Sequence, residues 1–237
     1  MLHKNTITYR LTAKYGLFTD PATRLGGEKC TYPVPTYQAL KGITESIYWE
    51  PTFTWVIDSV RILNAIQMES KNIRPINYNK AGNTLSVYTY LRDVSYQVEA
   101  HFIWNQYRED FSKDRNENKH FARANRYLSI GGTKDIFVGT RECQGYVEPC
   151  VFGEGSSVYD NTGEIPLGMM FHGFDYPDET GRNMLSARFW KPVMKNGVIE
   201  FLPPWQCDRS LCRDIRPMKM KKFEQKYPHT MEEGEEA

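Results

Sequence analysis

Asn116-Glu117-Asn118-Lys119-His120-Phe121-Ala122-Arg123 gathers side chains that can hold an anion or move a proton into one short stretch. Either asparagine can cap a helix, and Phe121, Ala122 and Leu128 begin an apolar face, so the segment predicts a helix over 119–129. The first turn of a helix presents unpaired N–H groups and partial positive charge. A lysine, a histidine and an arginine placed there make an anion site. Lys119, Arg123 and Arg126 recur at i, i+4, i+7 along one face, where like charges cost an isolated helix roughly 0.2–0.5 kcal/mol per pair unless an anion lies across them. A phosphodiester backbone is such an anion. A solvated basic face with a surface histidine is the alternative that the spacing leaves open.

The same residue types can break RNA without a metal. A 2′-OH attacks its own phosphate, which requires a proton acceptor, a proton donor for the 5′-oxygen and positive charge for the phosphorane. His120 can serve as donor or acceptor, and Lys119 can stabilise the phosphorane. Tyr48, at the end of an earlier predicted helix, has an ordinary pKa of about 10 and is a poor base unless cations lower it. It can orient the 2′-OH instead. Around the basic helix, Arg108, Lys113, Arg115, Lys119, Arg123, Arg126, Lys134 and Arg141 face five acids, a local excess of three positive charges. Gly131-Gly132 can bring backbone N–H groups close to a ligand. The candidate RNA contacts are therefore Lys41, Arg108, Arg115, Arg123, Arg126, Gly131, Gly132, Lys134 and Arg141. A metal-dependent DNA nuclease using Asp110, Asp114 and Glu117 is a third reading, but their spacing does not favour ligation.

These groups need a folded frame, and 237 residues with 40% hydrophobic and 14% aromatic side chains can build one. The formal net charge of +1 excludes a globally basic nucleic-acid binder, so any such contact rests on local patches. Apolar runs are short, as at Met169-Met170-Phe171, and the N-terminus lacks a signal-peptide core, so a cytoplasmic, non-membrane protein is expected. Five scattered cysteines (Cys30, Cys143, Cys150, Cys207, Cys212) favour reduced thiols, and no four-ligand zinc spacing appears; neither metal nor cofactor is expected.

Residues 3–12 read as a strand and 36–49 as a helix, with Leu40, Ile43 and Ile47 on one face, Tyr37, Lys41 and Tyr48 on its flank, and Pro51 beyond its end. Residues 53–62 alternate as a strand, 78–91 suit a hairpin arm, and Val94–Trp104 alternate cleanly, which puts His101 on the polar face. A loop (105–118), the basic helix and strand-like residues 136–152 complete a β-α-β-β-α-β order, the ferredoxin-like unit. The predicted class is α+β: a ferredoxin-like domain over 1–152, a small antiparallel β-sheet domain over 153–212 with an Asn196-Gly197 hairpin turn, and a basic, then acidic, unstructured tail over 213–237.

Longer blocks carry a resemblance. Tyr15-Gly-Leu-Phe-Thr-Asp-Pro21, Gly26-Gly-Glu-Lys29, Val34-Pro-Thr-Tyr-Gln-Ala-Leu-Lys-Gly42, Glu45-Ser-Ile-Tyr-Trp49, Ile66-Gln-Met-Glu-Ser-Lys71, Arg115-Asn-Glu-Asn-Lys-His120, Arg141-Glu-Cys-Gln-Gly-Tyr146 and His172-Gly-Phe-Asp-Tyr-Pro-Asp-Glu-Thr-Gly181 resemble the subtype I-C (Dvulg) branch of the CRISPR-associated Cas5 family. The similarity runs from about residue 8 to 205. It implies a RAMP-type protein that cuts precursor CRISPR RNA at the base of the repeat hairpin and then stays on the 5′ handle as a Cascade subunit. It also implies a catalytic trio of a tyrosine at the end of the first helix plus a Lys-His pair, which here are Tyr48, Lys119 and His120. The implied partners are the repeat hairpin, the mature 5′ handle, and the backbone RAMP and large subunits of Cascade, with target DNA in the complex a further open contact. A non-catalytic scaffold that only holds the handle is the competing expectation.

Overall fold

The computed structural model describes residues 4–77 and 81–220. The first strands and helix are β1 (Ile7–Gly16), β2 (Lys29–Cys30), α1 (Tyr37–Ile47), β3 (Phe53–Ile62), β4 (Met68–Ile73) and the 19-residue β5 (Ser86–Trp104). Next come α2 (Glu117–Ser129), β6 (Ile136–Phe137), β7 (Gln144–Pro149), β8 (Glu164–Pro166), β9 (Met170–Asp175) and α3 (Pro177–Thr180). The last four strands are β10 (Met184–Trp190), β11 (Val193–Lys195), β12 (Val198–Glu200) and β13 (Arg213–Pro217). The result is a mixed α/β architecture with mostly antiparallel sheets and few helices. Ten strands form one sheet in the order β6-β7-β1-β5-β3-β12-β11-β8, with β2 and β4 paired to the first half of β5. A separate three-stranded sheet runs β13-β10-β9.

The order follows from which faces are apolar. Tyr9 and Leu11 on β1 stand opposite Val98 and Tyr96 on β5, and Val60 and Ile62 on β3 continue the same rows. All six are buried, and α1 and α2 cover this face. Thr36 starts α1 by accepting from the Ala39 N–H, and Leu40, Ile43 and Ile47 point inward. The Tyr9 hydroxyl meets Thr44 Oγ1 at 2.9 Å, tying helix to sheet. The helix ends where Tyr48 turns to extended backbone, and the Trp55 indole N–H then donates to the Tyr48 carbonyl at 2.7 Å.

The small sheet leans on the start of α1: His172 stacks on Tyr37 with ring centroids 4.3 Å apart, and the Phe174 N–H donates to Gln38. Asn196 and Gly197 both have positive φ and link β11 to β12, as that dipeptide predicts. Other expectations are revised. Strands β8, β11 and β12 lie beyond residue 152 yet extend the large sheet, because β12 pairs with β3. Arg213–Pro217, assigned to the tail, form β13 against β10; residues 221–237 lie outside the described residues. The hairpin arm forms from β4 and the start of β5, with residues 78–80 likewise outside the description. His101 is buried against the Asp58 carboxylate at 2.8 Å, so the polar face of β5 is covered there.

The turn after α2 fixes the two helix ends relative to each other. The Gly131 and Gly132 N–H groups close α2 on the Leu128 and Tyr127 carbonyls, and the Thr133 and Lys134 N–H groups donate to Ser46 and Ile47 at the end of α1. Gly132 has φ +108°, and a Cβ there would lie 3.2 Å from the Ser46 oxygen, whereas nothing lies within 4 Å of one at Gly131. We expect Gly132→Ala to destabilise the fold by roughly 1–3 kcal/mol in urea titrations, clearly more than Gly131→Ala. Equal losses would mean that the turn does not clamp α1.

Candidate active site

Helix α2 sets one histidine into the core. Its buried residues are His120, Ala124 and Leu128, an i, i+4, i+8 stripe, rather than the Phe121, Ala122 and Leu128 face expected from sequence. The Asn116 side chain accepts from the Lys119 N–H, so this asparagine is the cap and His120 falls in the first turn. His120 is 0% exposed, with its ring among Phe53, Phe102, Trp104 and Tyr48.

Tyr48 and His120, 72 residues apart in sequence, meet directly: the phenol oxygen lies 2.8 Å from Nδ1. Nε2 lies 2.8 Å from the backbone carbonyl of Asp114. A carbonyl can only accept, so Nε2 carries hydrogen, and in the neutral ring Nδ1 accepts the Tyr48 proton. Burial pushes the Tyr48 phenol up to about 12, and the Glu50 charge adds to this against the hydrogen bond and charge of Arg123. Tyr48 therefore stays protonated at neutral pH and donates. Such a buried bond contributes about 0.5–1.5 kcal/mol, and stranding either partner costs more.

Asp114 is the residue that spacing did not reveal, because it sits in the turn before α2 and no regular repeat links it to His120. Its carboxylate pairs with the Lys119 ammonium and lies 3.3 Å from His120 Nε2. Burial pushes the Asp114 carboxyl up, but the Lys119 hydrogen bond and charge, with His120 and Arg123, outweigh this and leave it below its usual value. Among the described residues no group of three or more His, Cys, Asp or Glu stands together as a ligand set, and Asp114 is engaged with Lys119 and His120 instead of Asp110 and Glu117.

The other sequence candidates divide. Arg123 is half-exposed beside Tyr48, 4.0 Å from Glu50, and Arg126 and Lys134 are exposed. Arg141 is exposed over the Phe137 ring. Lys41 is buried and pairs with Glu179 of α3, so it presents no open charge. Arg108 is buried 3.8 Å from Asp178, and Arg115 turns inward to donate to the Asn105 carbonyl at 2.9 Å. Gly131 and Gly132 spend their N–H groups on the α2 terminus and offer none to a ligand.

The chain is similar to several known proteins. The family model described as CRISPR-associated protein (Cas_Cas5) matches residues 6–202. A protein of Mannheimia succiniciproducens named CRISPR pre-crRNA endoribonuclease Cas5d is 25% identical, covering 86% of this chain and 97% of that protein. One of the same name from Thermus thermophilus is 25% identical over 76% of this chain and 77% of its own length. Among solved structures, a CRISPR-associated protein is 36% identical with TM-score 0.71, and a functionally uncharacterized Streptococcus mutans protein, SMU1763c, is 39% identical with TM-score 0.69. Each covers 88% of this chain and 96% of its own.

The depressed Asp114 pKa gives a signed expectation. Its pairing stabilises the fold fully above the ordinary carboxylate value of 3.8 and is lost as pH falls through the lower folded value. The stability gap between wild type and Asp114→Asn, from urea titrations, should be constant from about pH 5 to 7 and shrink below about pH 4. A gap unchanged down to about pH 2 would refute the ion pair.

Proposed function

This chain belongs to the CRISPR-associated protein Cas5 family, and from that premise we propose that it is an endoribonuclease of precursor CRISPR RNA. In this reading it cuts within the repeat by 2′-OH attack, leaving a 2′,3′-cyclic phosphate and a 5′-hydroxyl without a metal. It then stays on the 5′ handle as a subunit of a type I-C Cascade in the cytoplasm, beside the backbone and large subunits. The ferredoxin-like reading of β1-α1-β3-β5-α2-β7 belongs to the same proposal, supported by the neighbouring strand order β7-β1-β5-β3. The observation that carries the catalytic reading is the 2.8 Å contact between Tyr48 and His120, with Lys119 next in sequence and joined to the same Asp114.

Both His120 nitrogens are occupied, so a substrate proton reaches this ring only through the Tyr48 oxygen. The 2′-OH gives its proton to that oxygen as the phenol passes its own to Nδ1. A phenol with a pKa near 12 is a weak base alone, but the imidazole behind it supplies the acceptor. A phosphate arriving at α2 competes with Asp114 for Lys119. The freed ammonium then faces the phosphorane and can protonate the departing 5′-oxygen, while Arg123 remains at the phenol. Asp114 acts through its partners: its carbonyl fixes the His120 tautomer, and its carboxylate holds Lys119 until RNA replaces it.

A binding-only scaffold is the second reading, and the enclosure of the pair favours it: His120 is 0% and Tyr48 3% exposed. Repeat RNA incubated with pure protein in EDTA separates the two. We expect cutting that a single deoxyribose just 5′ of the scissile phosphate abolishes, with binding retained. His120→Ala should lower the cleavage rate by roughly 10²–10⁴ with little change in affinity. Cutting of the deoxy substrate would reject 2′-OH attack, and a gel shift without cutting would establish the scaffold.

A further inference from the structure

A cleft of about 460 Å³ opens between the ends of β3 and β5, α3 and residues 204–209, and none of Tyr48, Lys119 and His120 lines it. Its volume lies within the roughly 300–1,000 Å³ of sites for small organic ligands. The floor is polar and built. Arg188 is 2% exposed, paired with Asp175 and donating to the Phe174 carbonyl at 2.9 Å. Beside it the buried Tyr37 hydroxyl makes no hydrogen bond of normal geometry, although the Ile57 backbone lies near it. Arg182 and Arg209 add positive charge at the mouth, with Arg209 3.6 Å from Asp175.

The rim is aromatic and open. Trp205 is 55% and Tyr107 47% exposed, large areas for side chains that usually seek cover. Tyr107 is nonetheless held in place. Its N–H donates to Asn105 Oδ1 at 3.0 Å, Asn105 in turn donates to the Asp178 carbonyl, and its ring lies where Gly181 would otherwise carry a Cβ, 2.4 Å from that position. A fixed, exposed ring with guanidinium groups around it matches the way unpaired bases are bound, stacked on aromatic faces with the backbone on arginine. Trp104, which lines the cleft, also lies 5.8 Å from the His120 ring, so an occupant would sit beside the candidate active site.

We propose that this cleft binds one unpaired nucleobase of single-stranded RNA, stacked against Trp205 and Tyr107, with the adjoining phosphate on Arg182 and Arg209. The choice of RNA rests on the function proposed above. The buried Arg188–Asp175 pair keeps the floor polar without leaving a bare charge for the base to face.

The test uses the full chain and fluorescein-labelled RNA hexamers U6, A6 and C6, followed by anisotropy, beside an abasic ribose-phosphate hexamer. At least one hexamer should bind, the abasic one should bind at least tenfold more weakly, and Trp205→Ala should weaken the base-bearing hexamer by about 5- to 100-fold while leaving Tm unchanged. Should Trp205→Ala not fold, Arg209→Ala, an exposed position, should weaken binding several-fold. Equal binding of the abasic hexamer, no binding of any hexamer, or a folded Trp205→Ala that binds like wild type would each overturn the proposal. Repeat cleavage by the same wild-type protein is scored separately. Cutting without base-dependent hexamer binding removes the cleft and leaves the nuclease, and the converse removes the nuclease alone.

Discussion

One hydrogen bond between a phenol and an imidazole fixes what the rest of this structure has to do. Tyr48 ends the first helix and His120 lies in the first turn of the second, so the bond exists only if two helix termini are held in register to within a fraction of an ångström. Three constraints achieve this. Trp55 grips the Tyr48 carbonyl from the sheet, Asn116 sets where α2 begins, and the turn after α2 donates Thr133 and Lys134 N–H groups to the last carbonyls of α1. Each satisfies a backbone group that a helix end leaves open, so the same bonds that stabilise the termini position the site.

The electrostatics then follow from burial. A hydrogen-bonded phenol and imidazole can share the interior, whereas a free ammonium could not, and Lys119 accordingly lies toward solvent on the Asp114 carboxylate. The fold thus keeps the Tyr48–His120 pair dry and the Lys119 ammonium toward solvent, with Asp114 touching both His120 and Lys119. This division suits a reaction in which the proton acceptor must not be drained by water and the cation must meet a phosphate. Net charge says little here because position decides: Lys119, Arg123 and Arg126 lie along one helix, whereas Lys41, Arg108 and Arg115, equally basic, are spent on internal partners.

Much of this was legible in the chain. Asn116 read as a cap, Asn196-Gly197 as a hairpin turn, and the Glu45–Trp49 and Arg115–His120 blocks pointed to Tyr48, Lys119 and His120 through a family likeness. What stayed hidden depends on non-local pairing. Glu179 neutralises Lys41 from 138 residues away, and β12 joins β3 although a composition change near residue 152 reads as a boundary. The burial of His120 was hidden for a different reason. A stripe of His120, Ala124 and Leu128 has one strongly apolar member, so periodicity cannot show that the histidine completes it until Phe53, Phe102 and Trp104 close around the ring.

The claim that Tyr48 and His120 act as one proton-transfer unit is tested most directly by a double-mutant cycle in single-turnover cleavage of repeat RNA. Tyr48→Phe, His120→Ala and the double variant are compared at saturating protein. If the substrate proton passes through the phenol to the imidazole, either change breaks the whole path and the double variant cuts no more slowly than the slower single one. Rate losses that multiply in the double variant would show two independent roles and contradict the account.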